Sequence, residues 1–354
     1  MRRPRVRETG IIPGTLPTGP WNAITDVPGV RVGYASVIED VPRVVRTGVT
    51  AIWPCEDENW TTPIFAGCHS FNGNGEVTGM AWLAEQGLLS APICITSTNC
   101  VGTVRDAICK FAVQAGAPQL WHLPVVGETC DGILSDPAAF PVTDATTFAA
   151  LSSARSGPLA EGNVGGGTGM VAHGFKGGTG TASRVAPGGY TVGAIVQANY
   201  GLREMLRING VPVGRSIGAG EIPIVGDQPL DMGSIIVVLA TDAPLLPIQC
   251  QRLARRATVG LAWVGGIGNN GSGDIFIAFS TANRVDTSAP ISNVRMLAPE
   301  AMTGLFLAAA EATEEAILNA LFAAETVTGY QGRTAQALPI ERVLSLMRKA
   351  AVSS

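Results

Sequence analysis

Apolar residues along the 354-residue chain fall into two kinds of run. The first kind is short, rich in β-branched residues and bounded by Gly or Pro: GVTAIWPC (48–55), APICITST (91–98), YTVGAIVQANYG (190–201), GSIIVVLATDA (233–243) and GDIFIAFST (273–281). Each predicts a strand, and because several do not alternate apolar with polar positions they are expected to be buried on both faces. The second kind recurs every three or four residues and predicts helices over 103–116, 244–265, 299–325 and 338–351. Over 244–265, Leu246, Cys250, Leu253, Ala257, Leu261 and Val264 would line one helical face. An α/β architecture of sheets covered by helices follows. No repeat or low-complexity linker divides the chain, which leaves one large unit or two interlocked halves.

Composition narrows the classes. Apolar residues make up 46% and charged residues 15%, enough for a large core. A net charge of −4 gives no basic footprint for nucleic acid. No run reaches the roughly 18 apolar residues of a membrane span. The start, MRRPRVR, lacks the apolar stretch of a secretory signal and reads as a solvated basic tail. Seven cysteines, odd in number and without CxxC, point to reduced thiols in a cytoplasmic protein. The glycine-rich stretches 71–79, 161–170 and 174–180 match no phosphate-binding pattern and are read as tight turns and close backbone approaches. His69, His122 and His173 have no ligand spacing, so each is given a structural role, and no metal or cofactor is expected.

The residues offer little conventional nucleophilic chemistry. GxSxG is absent, and Cys130 with His122 as a thiol pair competes poorly with a packing role for the cysteine. Gly233-Ser234 offers another route. If the bond before Ser234 is cut, that residue carries both a hydroxyl and a free α-amine of pKa about 7.7–8.0, so one residue supplies nucleophile and base. Gly233 would ease the strained backbone that such a cut needs. Taken alone, the dipeptide still reads as a turn entering a strand.

Seven blocks in order change that reading: GPWNAITDVPGVRVGY (19–34), HSFNGNGEVTG (69–79), VVGETCDGILSD (125–136), VGAIVQANYG (192–201), GSIIVVLATDAPLLPIQCQRLARRA (233–257), GNNGSGDIFIAFST (268–281) and AAAEATEEAILNAL (308–321). Together they resemble the L-aminopeptidase/D-esterase (DmpA-type) family, which includes the β-peptidyl aminopeptidases. The resemblance implies a single unit with a four-layer αββα sandwich, like that of N-terminal-nucleophile hydrolases but with different connectivity. It implies self-cleavage into residues 1–233 and 234–354, a homotetramer of the resulting αβ units, and small peptide, amide or ester substrates with a free amino group. By position, Ser234 becomes the nucleophile and Asn199 the oxyanion donor. Ser272 and Asp274 orient the α-amine of Ser234, and Glu128 holds the substrate ammonium. The position two after that glutamate is usually aromatic in the family; here it is Cys130, which changes the substrate pocket.

The expected activity is that of a self-processing serine aminopeptidase or amidase working through an acyl-enzyme. Two alternatives stay open: an acyltransferase of the ornithine-acetyltransferase type, and an uncleaved protein that binds amino compounds.

Overall fold

A strand apolar at every position needs a cover on each side. The computed structural model, which describes residues 2–119, 121–226 and 232–353, provides it with two sheets face to face and helices on their outer sides. Along the chain, β1 (Arg31–Glu39) and β2 (Val45–Trp53) form a hairpin, and β3 (Ile64–Gly73) crosses to a second sheet. Then α1 (Met80–Gln86) and β4 (Leu88–Leu89) lead to β5 (Ile93–Ser97), and α2 (Val101–Gln114) returns the chain to β6 (Val125–Thr129), parallel to β5. After α3 (Asp144–Ser152) come a small hairpin of β7 (Val171–Ala172) and β8 (Phe175–Lys176), then β9 (Gly178–Val185) and β10 (Thr191–Asn199). The last part holds β11 (Met232–Thr241), α4 (Pro247–Ala254), α5 (Ala257–Val264), β12 (Gly271–Arg284), α6 (Met302–Ala323) and α7 (Ile340–Ser353). The first sheet has the order β1-β2-β5-β6 and the second β4-β3-β12-β11-β10-β9.

Three apolar layers fill the spaces between these four. Ile52, Ile93 and Val125 of the first sheet meet Ile195, Ile236 and Val238 of the second. Val49, Cys94 and Val126 turn outward onto Val104 and Ile108 of α2. On the other side Ile235, Val237 and Leu239 pack against Cys250, Leu253 and Leu321. Successive residues of β11 thus enter different cores, as the period of two in a strand requires. Its unbroken apolar run is explained, and the expected αββα layering is what the chain adopts.

Three expectations are revised or sharpened. The helix over 244–265 is two helices, because hydrogen bonding tightens to i→i+3 at Arg256 N–H to Leu253 O (2.9 Å) and Val259 N–H to Arg256 O (3.0 Å). Its apolar face survives, since Cys250, Leu253, Ala257, Leu261 and Val264 are all buried. The basic start is no solvated tail: Val6 is fully buried, Arg3 donates to Phe322 O and Leu338 O, Arg5 pairs with Glu161 and Arg7 with Glu315. Guanidinium groups here satisfy helix-end and loop carbonyls, a use that a charge pattern does not reveal. The glycines do serve close approach. A Cβ on Gly180 of β9 would lie 2.0 Å from Ala316 O and 2.5 Å from Ala320 N of α6.

All seven cysteines are free, and no helix among the described residues is long and apolar enough to cross a membrane. Since backbone on α6 cannot yield to a methyl group at residue 180, Gly180→Ala is expected to destabilise the protein by about 3 kcal/mol in denaturant titration. Gly102→Ala, whose added Cβ meets nothing within 4 Å, should cause no loss.

Candidate active site

The ladders of the second sheet bring the sequence-predicted residues together. In the antiparallel pair β10/β11, Asn199 stands opposite Ser234; in the parallel pair β11/β12, Ser234 stands beside Gly273 and Gly233 beside Ser272. Alternation then sorts the side chains. Ser234 and Asn199 share the face of Ile236 and Ile195, toward the first sheet, whereas Ser272 and Asp274 share the face of Phe276, toward the helices. The site therefore straddles one sheet, with the Ser234 hydroxyl on one side and the Ser272–Asp274 pair on the other.

The Ser234 hydroxyl donates to Gly233 O at 2.6 Å, so it is turned back onto the peptide group that precedes it. The Asn199 amide is fixed at both ends: Oδ1 accepts from Val171 N–H (2.8 Å), and Nδ2 donates to Cys130 O (2.9 Å). These partners settle its orientation and leave the second Nδ2 hydrogen uncommitted among the described residues. The Ser272 hydroxyl donates to Asp274 Oδ1 at 2.7 Å. Burial pushes the Asp274 carboxyl up to about 6, against the opposing effects of the Ser272 hydroxyl and the Ile235 N–H.

Glu128, at the end of β6, is only 3% exposed. Its Oε1 accepts from Glu76 N–H (2.9 Å), and its Oε2 accepts from the Thr98 hydroxyl. Burial raises its pKa, and among the described residues no basic side chain pairs with it. Of the other buried glutamates, Glu311 and Glu315 pair with Arg184, whereas Glu314 has no ion pair among the described residues. A Cβ on Gly75 would lie 3.2 Å from both Glu128 Oε1 and Gly273 Cα, so only glycine backbone stands between this carboxylate and the strand beside Ser234. An unpaired buried carboxylate beside the strand that flanks Ser234 suits a cationic ligand.

Cys130 is exposed, and the protein atoms crowded around its sulfur push its thiol pKa up, the reverse of an activated thiolate. His122 lies elsewhere: its ring packs on Trp60 (5.3 Å between centroids) in the wall of a cavity of about 440 Å³ that also includes Trp82 and Trp121, and whose lining includes neither Cys130 nor Ser234. No hydrogen bond joins Cys130 to His122 among the described residues, and the thiol pair is not assembled. His173 is structural as expected, fully buried with Nδ1 against Leu202 O at 3.0 Å. No group of three or more His, Cys, Asp or Glu placed to hold a metal occurs among the described residues.

Sequence reading overlooked Thr98, Gly75 and the backbone groups of Val171 and Cys130. Thr98 sits at the end of a stretch read only as a strand, and a backbone N–H or C=O leaves no signature in residue type.

The profile of peptidase family S58 matches residues 22–335. A β-peptidyl aminopeptidase of Sphingosinicella microcystinivorans is 46% identical over 98% of this chain and 92% of its own length. Among solved structures, a Burkholderia sp. β-aminopeptidase is 48% identical with a TM-score of 0.91, covering 98% of this chain and 99% of the other. The L-aminopeptidase D-Ala-esterase/amidase of Ochrobactrum anthropi, described as a variant of the Ntn hydrolase fold, is 45% identical with a TM-score of 0.89 and covers 99% of both chains.

The raised pKa of Asp274 has a measurable sign. Its folded value of about 6 lies above the unfolded value of about 3.9, so the native chain holds the extra proton and stability falls as pH rises between the two. In the Ser234→Ala chain, Asp274→Asn should raise Tm above pH 6, and the gain should vanish toward pH 4; a pH-independent gain would contradict the assignment.

Proposed function

The chain belongs to peptidase family S58, and we propose that it matures by cutting itself after Gly233 and then acts as an aminopeptidase with Ser234 as its N-terminal nucleophile. The observation that carries this reading is the Ser234 hydroxyl 2.6 Å from Gly233 O, directly across the ladder from Asn199. In the uncut chain the Gly233 carbonyl is the first acyl group offered to the serine.

The steps follow from these groups. The Ser234 oxygen bonds to the Gly233 carbonyl carbon, the C–N bond breaks, and the nitrogen takes the hydroxyl proton to become an amine. Water then hydrolyses the ester, leaving Gly233 as a carboxylate and restoring the hydroxyl. In turnover that α-amine takes the proton as the hydroxyl attacks a substrate carbonyl and gives it to the leaving amine; water, whose proton passes through the same amine to the serine oxygen, then hydrolyses the acyl-enzyme, releasing the acid and restoring the Ser234 hydroxyl. The uncommitted N–H of Asn199 stabilises the oxyanion. Ser272 and Asp274 hold the ammonium form, whose charge favours an ionised Asp274. Glu128 binds the substrate ammonium, and the gain from pairing it offsets the desolvation that raises its pKa.

The relatives named above act on N-terminal β-residues and on L-amino-acid and D-alanyl substrates by their descriptions. The substrates of this chain are accordingly short peptides, amides or esters with a free amine. Free cysteines support a cytoplasmic setting. The exposed Trp82 and Trp121, in contact at 6.3 Å, suit assembly into a homotetramer of αβ units.

Intact-mass spectrometry of the purified protein should find two chains, 1–233 and 234–354, and Ser234→Ala should give one inactive chain. A single uncut chain with full activity would overturn the mechanism. Glu128→Gln should raise KM more than it lowers kcat, and N-acetylated substrates should be poor; equal rates on free and blocked amines would remove the ammonium site. Cys130→Ala should stay active, while Cys130→Tyr should shift kcat/KM from leucyl toward alanyl p-nitroanilide by narrowing the pocket. An inactive Cys130→Ala that still cuts itself would hand the chemistry to the thiol.

A further inference from the structure

Lys176, the last residue of β8, is fully buried, yet no carboxylate pairs with it among the described residues. Its ammonium donates only to Gly167 O (3.2 Å) and Gly177 O (2.9 Å). Burial lowers its pKa to about 7. A neutral amine has two N–H donors for these two carbonyls, whereas an ammonium would leave a third donor unsatisfied in the interior. A methionine or leucine would fill the same space without that cost, so the two hydrogen bonds call for an explanation.

The two carbonyls lie on either side of one clamp. Gly167 belongs to the 3₁₀ turn Gly165–Gly169, and Gly177 links β8 to β9. Between them Met170 O accepts from Gly177 N–H at 2.8 Å, and the next residue, Val171, gives its N–H to Asn199 Oδ1. The clamp is also seated on the strand of Asn199, because a Cβ on Gly177 would lie 2.4 Å from Ala198 O. A second brace runs from Gln197 Nε2 to the Thr129 hydroxyl (2.8 Å), which in turn donates to Met170 Sδ (2.7 Å). Every link from Lys176 to the Asn199 amide is a hydrogen bond, a covalent neighbour or a backbone contact.

We propose that Lys176 is a positioning residue: by tying Gly167 to Gly177 it fixes the Val171 N–H and, through it, the orientation of the Asn199 amide. This rests on Asn199 being the oxyanion donor. Neither Lys176 nor the clamp touches Ser234 or Glu128, so its loss should lower kcat and leave KM in place.

The test is a double-mutant cycle in the full chain with kcat expressed per cleaved site. Lys176→Met should lower kcat about 10- to 100-fold with KM nearly unchanged, as a small displacement of a catalytic amide does. In an Asn199→Ala background the same substitution should cost less than about twofold, because its effect runs through that amide. Lys176→Gln, which keeps two N–H donors on a shorter arm, should recover part of the loss. An equal loss in both backgrounds, or none in the wild type, overturns the proposal. A readout independent of turnover is amide hydrogen exchange in the uncut Ser234→Ala chain, where Lys176→Met should speed exchange at Val171 and leave Ile236 and Val238 protected. Unchanged exchange at Val171 overturns the role of Lys176 even if Ser234 proves to be the nucleophile. A wild type that is never cut, with Val171 nevertheless released by Lys176→Met, would fault the catalytic reading and spare the clamp.

Discussion

Burial of β11 on both faces is the constraint from which the rest follows. Ile236 and Val238 are held by one core, and Ile235, Val237 and Leu239 by another. A slip of one residue would send each set into the wrong layer, so the register with β10 and β12 has no near competitor. That register alone sets Ser234 opposite Asn199 and next to Gly273. The position of the hydroxyl is thus a by-product of hydrophobic packing, and the site gains its precision from a strand buried on both faces.

The buried charges divide by the company they keep. Arg184, fully buried, bonds Glu311 at 3.0 Å and Glu315 at 2.6 Å, and Glu315 is shared with Arg7. These groups are mutually satisfied and hold α6 to β9 and to the start of the chain. Glu128, Lys176 and Glu314 are buried without an ion pair among the described residues: Glu128 stands beside Gly75 and Gly273, Lys176 braces the turn before Val171, and Glu314 lies on α6 against Gly260 of α5.

Much of this was legible in the residues. Five strands and the main helices follow from periodicity, since burial on both faces leaves unbroken β-branched runs and burial on one face leaves steps of three and four. The site residues are different: Asn199, Ser272, Asp274 and Glu128 carry no local motif, and only the ordered blocks of the whole chain single them out. What stayed hidden has a common cause. The docking of Arg3 and Arg5 onto the carbonyls of Phe322, Leu338 and Thr181 and the Val171 N–H on Asn199 all depend on backbone groups brought together from distant parts of the chain, and residue type does not encode where a carbonyl will be needed.

The order of strands in the second sheet also sets a clock. β3 and β10 are made early, yet they never touch each other; β12 and β11, made later, fill the gap between them. A chain growing from its N-terminus therefore carries an unfinished sheet with two open inner edges until about residue 284 has emerged, and such non-local pairing is slow to form. Asn199 must wait for Ser234, and Ser234 for Gly273, so the constellation cannot exist on a nascent fragment. The geometry on which the proposed chemistry rests is thus withheld from the partly made protein by topology.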